Sequence, residues 1–163
     1  MNKYQHILQK IQTRESLKQL IETWNKGAEK IVFTNGCFDL IHRGHVDYLA
    51  KAAGYGTRLI VALNTDASVS KLKGPHRPIQ DQDSRMQIMA SMEMVDAVVL
   101  FDEETPLELI EEVQPDVLVK GSDYQPENIV GYSVVKAKGG TVATIDFLPG
   151  FSTSAIEMKI KQA

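Results

Sequence analysis

Short apolar runs recur along the chain with little alternation inside them. Ile31–Phe33, Leu59–Leu63, Ala97–Phe101, Val117–Val119 and Thr141–Phe147 are the strand candidates. A run apolar on both sides suits a strand covered on both faces. Between the runs the spacing changes to that of helices. Val46, Tyr48, Leu49, Ala52 and Ala53 fall on one helical face, so the pattern predicts a helix over 45–54. Further helices are expected over about 65–72, 82–92, 105–113, 127–137 and 153–161, the last with Ile156 and Ile160 one turn apart. Near the start, Tyr4, Ile7, Leu8 and Ile11 are helically spaced, as are Leu17, Leu20, Ile21 and Trp24. Thr13 suits the cap of the second segment and Gly27 its end. Alternation of this kind predicts an α/β fold, a doubly wound, Rossmann-like parallel sheet of five strands with helices on both faces. The expected organisation is one domain over 1–163, with 1–29 a helical extension packed on the sheet. A homodimer contact is a second role open to that extension.

Composition narrows the class. The chain has 163 residues, 43% hydrophobic and 24% charged, with a net charge of −3. That size supports one sizeable core. The charge argues against nonspecific nucleic-acid binding through the whole surface, so an anionic ligand needs a local basic cluster. One cysteine, Cys37, excludes an intrachain disulfide and fits a reducing cytosol. No apolar run approaches membrane-spanning length and no signal-like core opens the chain, so a cytoplasmic protein without membrane contact is expected.

Ligands of such folds gather beyond the carboxyl ends of the strands. The strand candidates here run into Thr34-Asn35-Gly36, Asn64-Thr65-Asp66, Lys120-Gly121-Ser122-Asp123 and, past Pro149-Gly150, Ser152-Thr153-Ser154. The first tip continues through Cys37, Phe38, Asp39, His42, Gly44 and His45 into a helix. Glycines there permit close backbone approach. A helix start attracts anions, and two imidazoles stand at the same end. This predicts a phosphate site. Half a metal site and two plain surface histidines are the other readings of His-x-x-His; against the first, no Cys or carboxylate pair stands at helical spacing beside it. Lys71, Lys73, His76, Arg77 and Arg85 form a basic stretch interrupted by Gly74, Pro75 and Pro78. It is either a solvated loop or a phosphate clamp, with lysines acting as point charges and Arg77 or Arg85 gripping bidentately. Ser152, Thr153 and Ser154 could cap a helix or donate to phosphate oxygens. Asp39 is either a base or a structural acceptor, with the second favoured. Lys120 and Asp123 are either solvated or substrate-facing. Cys37 suits a packed or backbone-contacting position.

Gly36-x-Phe38-Asp39-x-x-His42-x-Gly44-His45 resembles the signature of the nucleotidyltransferase superfamily that includes cytidylyltransferases. Gly150-Phe151-Ser152-Thr153-Ser154-Ala155-Ile156 resembles its second phosphate-binding segment. Leu72-Lys73-Gly74-x-x-Arg77-Pro78-Ile79, Arg85-Met86, Thr105-Pro106, Asp116-Val117-Leu118-Val119-Lys120-Gly121-x-Asp123-Tyr124 and Gly139-Gly140-x-Val142 resemble one branch, the heptose 1-phosphate adenylyltransferases of ADP-heptose synthesis. The likeness runs from about residue 30 onward. It implies ATP with Mg²⁺ and a heptose 1-phosphate as substrates, ADP-heptose and pyrophosphate as products, and direct in-line attack on the α-phosphate. It also implies roles. His42, His45, Lys71 and Lys73 would be catalytic. Asn35, Gly36, Cys37, Phe38, Gly44, Asn64, Arg85, Lys120, Gly121, Asp123, Gly150, Ser152, Thr153 and Ser154 would hold the nucleotide, and no residue would be a dedicated metal ligand. The branch is often fused behind a sugar kinase, and a chain of this length is expected to act as the free-standing unit. Cytidylyltransferases carry an arginine shortly before the second segment. Asp146-Phe147-Leu148-Pro149 stands here instead, which weakens a glycerol 3-phosphate cytidylyltransferase reading. A nucleotide-binding module without turnover is the reading from outside enzymes.

Overall fold

The computed structural model describes residues 2–162. Six parallel strands form one sheet: β1 (Ile11–Gln12), β2 (Ile31–Gly36), β3 (Arg58–Asn64), β4 (Ala97–Phe101), β5 (Val117–Gly121) and β6 (Thr141–Ile145), in the order β1-β4-β3-β2-β5-β6. The helices are α1 (Lys3–Gln9), α2 (Arg14–Lys26), α3 (Arg43–Ala53), α4 (Asp66–Lys73), α5 (Gln82–Ala90), α6 (Leu107–Val113), α7 (Tyr132–Ala137) and α8 (Thr153–Gln162).

Neighbouring positions on a strand enter opposite cores. Ile31 and Phe33 pack on one side of the sheet with Leu17, Ile21 and Trp24 of α2, Leu109 and Ile110 of α6, and Val135 of α7. Val32, Val61 and Val119 face the other side, with Tyr48 and Leu49 of α3 and Met89 of α5. Two buried faces explain why the strands read as continuous apolar runs. Thr13 caps α2 through a reciprocal capping box with Ser16, and Gly27 ends it.

Two expectations are corrected. Ile11 does not extend the first helix. That helix stops at Gln9, and Ile11 and Gln12 instead pair with Val98 and Val99 as a sixth, edge strand. Edge groups of β4 thereby gain partners that a helix could not supply. The predicted helix over 127–137 is broken into a 3-10 turn at Pro126–Asn128 and the short α7. Gly131 between them has φ +90°, and a Cβ there would lie 2.7 Å from Ile110 Cδ1. The chain turns where only glycine fits, so one continuous helix is excluded.

The winding reverses beside β2. From β2 the chain steps outward to β3 and β4, then returns to β5 on the other flank and continues to β6. A crevice therefore opens at the carboxyl ends of β2 and β5, as it does at such reversals generally.

Candidate active site

The β2 tip and the start of α3 form one wall of the crevice. Phe38 adopts φ +47° and folds its ring back on Gly36, where a Cβ would stand 2.9 Å from it. Gly44 is buried, and a Cβ there would lie 3.0 Å from the His42 imidazole and 3.2 Å from Phe151 Cβ. These two glycines allow the loop to close on itself. His42 occupies the cap position of α3 in extended conformation and makes no side-chain cap bond. The helix start therefore keeps donors for another acceptor.

The imidazoles of His42 and His45 stack with centroids 3.8 Å apart, and the Phe38 ring lies 5.2 Å from that of His45. Nδ1 of each histidine and Oδ1 of Asn35 are buried without hydrogen-bond partners in the protein. Burial pushes His45 down to about 4, with His42 beside it adding to the shift, and burial lowers His42 as well. Both rings are thus neutral near pH 7. Buried polar atoms without partners are costly, so three on one loop are open to bonds from water or a ligand.

The serine-rich segment after Gly150 lies against this wall. Phe151 touches Gly44, and the Arg43 guanidinium lies 5.6 Å from the centre of the Phe151 ring. Ser152 Oγ accepts from the Ala155 amide at 3.1 Å, so Ser152 caps α8. Thr153 is half-buried and Ser154 exposed. Gly150, at φ +84°, turns the chain into the segment. The fold therefore places the two motifs side by side although most of the chain separates them.

Lys71 and Lys73 sit in the last turn of α4, both exposed. The arginines of the basic stretch are engaged within the protein. Arg77 Nε donates to Asp39 at 2.7 Å, and Arg77 also pairs with Glu157 of α8. Asp39, 2% exposed, accepts as well from the amides of Ile79 at 2.9 Å and Gln80 at 2.8 Å. Desolvation pushes its carboxyl up, but these donors outweigh it and hold the carboxyl below the usual range. Asp39 is a structural acceptor, and the amides that it fixes belong to the basic loop. Arg85 does not face the crevice as a phosphate grip. It is fully buried and donates to the carbonyls of Cys37 at 2.8 Å and Gln80 at 3.1 Å and to the Asp66 carboxylate at 2.7 Å. A guanidinium with these partners is a strut joining the β2 loop, the basic loop and α4.

Asn64, at the β3 tip, donates to Ser68 Oγ at 2.9 Å and lies 3.7 Å from Cys37 Sγ. Burial pushes the Cys37 thiol up, so it stays protonated. Lys120 reaches from β5 across the reversal to the Asn35 carbonyl at 3.2 Å, with its ammonium 5.7 Å from the Tyr124 ring centre. Burial lowers its pKa against the opposing charge of Asp123. Asp123 is exposed, and a Cβ on Gly121 would lie 2.8 Å from its carboxylate oxygen.

Three participants stand outside the predicted site residues. Tyr48 bonds Thr34 at 2.8 Å beneath the site, and burial pushes its phenol up to about 12. Asp66 and Glu157 are ordinary helix carboxylates until the fold brings arginines to them. Among the described residues, no three His, Cys, Asp or Glu side chains cluster so as to hold a metal ion, and no helix is long and apolar enough to cross a membrane.

The cytidylyltransferase-like family model matches residues 33–157. The chain is 52% identical over 149 residues to the bifunctional protein HldE of Azorhizobium caulinodans, covering 91% of this chain and 31% of that protein. It is 52% identical over 151 residues to the HldE of Methylobacillus flagellatus, covering 93% of this chain and again 31% of the relative. The chain thus spans about a third of the length of these relatives. Among solved structures, a lipopolysaccharide core biosynthesis protein from Thermoplasma volcanium GSS1 has a TM-score of 0.61 at 28% identity, over 74% of this chain and 97% of that one. A pantoate-beta-alanine ligase from Francisella tularensis also has a TM-score of 0.61. At 16% identity, over 93% of this chain and 76% of that one, it shares the fold.

Proposed function

Because the chain belongs to the cytidylyltransferase-like family, we propose that it is a nucleotidyltransferase that moves the adenylyl group of ATP onto D-glycero-D-manno-heptose 1-phosphate, in the β anomer. The products are ADP-heptose and pyrophosphate. The observation that carries a phosphate-handling role is the stacked, neutral His42–His45 pair, its Nδ1 atoms unpartnered, at the uncapped start of α3 with Ser152–Ser154 alongside. The heptose acceptor rests on the branch motifs of the sequence and on the likeness to the HldE proteins.

An oxygen of the sugar phosphate attacks the α-phosphorus, and the bond from that phosphorus to the pyrophosphate oxygen breaks. A phosphate monoester has a second pKa of about 6, so the nucleophile is already largely ionised and no side-chain base is needed. Catalysis then consists of positioning and of stabilising charge on the pentacoordinate phosphorus. His45, stacked on His42, stabilises the α-phosphate as charge builds on it. A neutral imidazole held by the protein supplies an N–H at the outset, and an approaching triphosphate favours its protonation. Lys71 and Lys73 bridge the reacting phosphates as mobile point charges. Ser152, Thr153 and Ser154 receive the β- and γ-phosphates at the α8 start, and the Cys37–Phe38 backbone and the Lys120–Asp123 tip meet the nucleoside. Mg²⁺ accompanies ATP, held mainly by phosphate oxygens and water.

Pyrophosphate release tests this directly. ATP and Mg²⁺ are supplied with the β- or the α-anomer of the heptose 1-phosphate, and CTP with glycerol 3-phosphate alongside. Release with ATP and the β-anomer is expected. Release with CTP alone would move the chain to a cytidylyltransferase activity. ATP binding without release in any reaction would leave only a nucleotide-binding module.

A further inference from the structure

The C-terminal helix carries one half of the phosphate site yet is weakly held. None of the residues of α8 is buried, and Met158 and Ile160 are 58% and 67% exposed. Apolar burial therefore does little to place Ser152–Ser154. Besides the packing of Phe151 over Gly44 beneath Arg43, polar contacts are left to do so, and they converge on one guanidinium. Arg77 pairs with Glu157 on α8 and donates at 2.7 Å to Asp39, which sits in the same loop as His42. Asp39 in turn fixes the Ile79 and Gln80 amides at 2.9 and 2.8 Å. The histidine loop, the basic loop after Lys71 and Lys73, and the serine helix thus meet at Arg77. We infer that Glu157 is a positioning residue that sets the spacing of the serine helix against the histidine and lysine walls through Arg77.

The chemistry of the pair supports that role. A planar guanidinium can bond two carboxylates on different edges at once, which an ammonium does with far less geometric definition. The Arg77 and Glu157 side chains are 18% and 27% exposed, and partly exposed pairs contribute little to global stability. Their effect is local. Displacing reacting groups by about 1 Å can cost about a hundredfold in rate, so a contact with little influence on unfolding can still govern turnover. This inference rests on the proposed nucleotidyl transfer for its catalytic consequence, but its structural part can be read without any substrate.

The test is amide hydrogen exchange of the unliganded protein for wild type, Glu157→Gln, Arg77→Gln and the double variant. Exchange over 153–162 is expected to rise at least fivefold in each single variant and no further in the double. At Ile79 and Gln80 it should rise only where Arg77 is changed. Wild-type exchange of α8 in Arg77→Gln, or single effects that multiply in the double variant, would overturn the inference. Glu157→Gln keeps the test decisive should Arg77→Gln fold poorly, since unchanged exchange over 153–162 in that variant also overturns it. Pyrophosphate release is then compared for Lys73→Ala, Glu157→Gln and their combination. Glu157→Gln is expected to lower kcat about tenfold, and Lys73→Ala to cost several-fold less in its background than alone. Losses that multiply in full would also overturn the positioning role. Absence of release in wild type with any sugar phosphate would sink the proposed reaction, while the exchange result would still decide whether Arg77 tethers α8.

Discussion

The two ends of the crevice are built by different means. At the α3 end, β2 is bracketed by β3 and β5, and Tyr48, Leu49 and Ala52 anchor the helix in the core. Its loop is braced by a fully buried arginine and a buried aspartate. At the α8 end, β6 is an edge strand and the helix buries no residue. One side of the site is therefore set by the core and the other by surface polar contacts. A rigid wall facing an adjustable one suits the proposed transfer, in which the attacked phosphate is held while the pyrophosphate departs.

The largest effect is expected where the rigid wall is braced. Arg85→Ala leaves two part-buried carbonyls and the Asp66 carboxylate without their charged donor and opens a cavity, so a loss of roughly 3–4 kcal/mol is expected. Urea unfolding would measure it, and a loss under about 1 kcal/mol would mean that the strut does not hold the loop. Next comes His45→Ala. Removing one preorganised donor should lower kcat about 10²–10³-fold with ATP and the heptose phosphate. Steady-state kinetics within about threefold of wild type would remove His45 from the transition state.

The same histidine makes the rigid wall sensitive to pH. Its folded value is about 4 and an unfolded histidine titrates near 6.5. Above pH 6.5 both states are neutral and nothing is lost. As the pH falls from about 6.5 to about 4, the unfolded chain takes up a proton that the folded chain refuses, so stability declines across that window and levels below it. His45→Gln should flatten that part of the curve in unfolding midpoints measured from pH 7 to 4. An unchanged slope would show that the imidazole is not held neutral. The smallest effect belongs to the adjustable wall. Ser152→Ala removes the α8 cap, worth about 1 kcal/mol to that helix. It should raise KM for ATP and speed exchange over 153–162 while the melting temperature moves by less than about 2 °C. A larger shift would show α8 to be part of the cooperative core.

The contrast also explains what could be read in advance. Strands over Ile31–Phe33, Leu59–Leu63 and Ala97–Phe101 stand out because both faces are buried, which leaves an uninterrupted apolar run. The histidine loop and serine segment stand out because their residue types and spacing are local. Arg85 and Arg77 do not, since a basic side chain looks alike in sequence whether it meets solvent, phosphate or protein carbonyls. Ile11 deceived the helical pattern because its partner, Val98, is remote in the chain.

The chain by itself determined the parallel α/β architecture, the placing of polar tips after apolar strands, and the two motifs that border the crevice. These follow from periodicity and short-range spacing, which a linear sequence displays. Tertiary structure alone decided that His42 and His45 stack as neutral rings with unpartnered nitrogens, that Phe151 closes on Gly44, that Arg85 is a buried strut, and that Arg77 joins Asp39 to Glu157. The reason is physical. Burial, pKa and ion pairing depend on which distant segments share a volume, and that is fixed only when the sheet order brings them together.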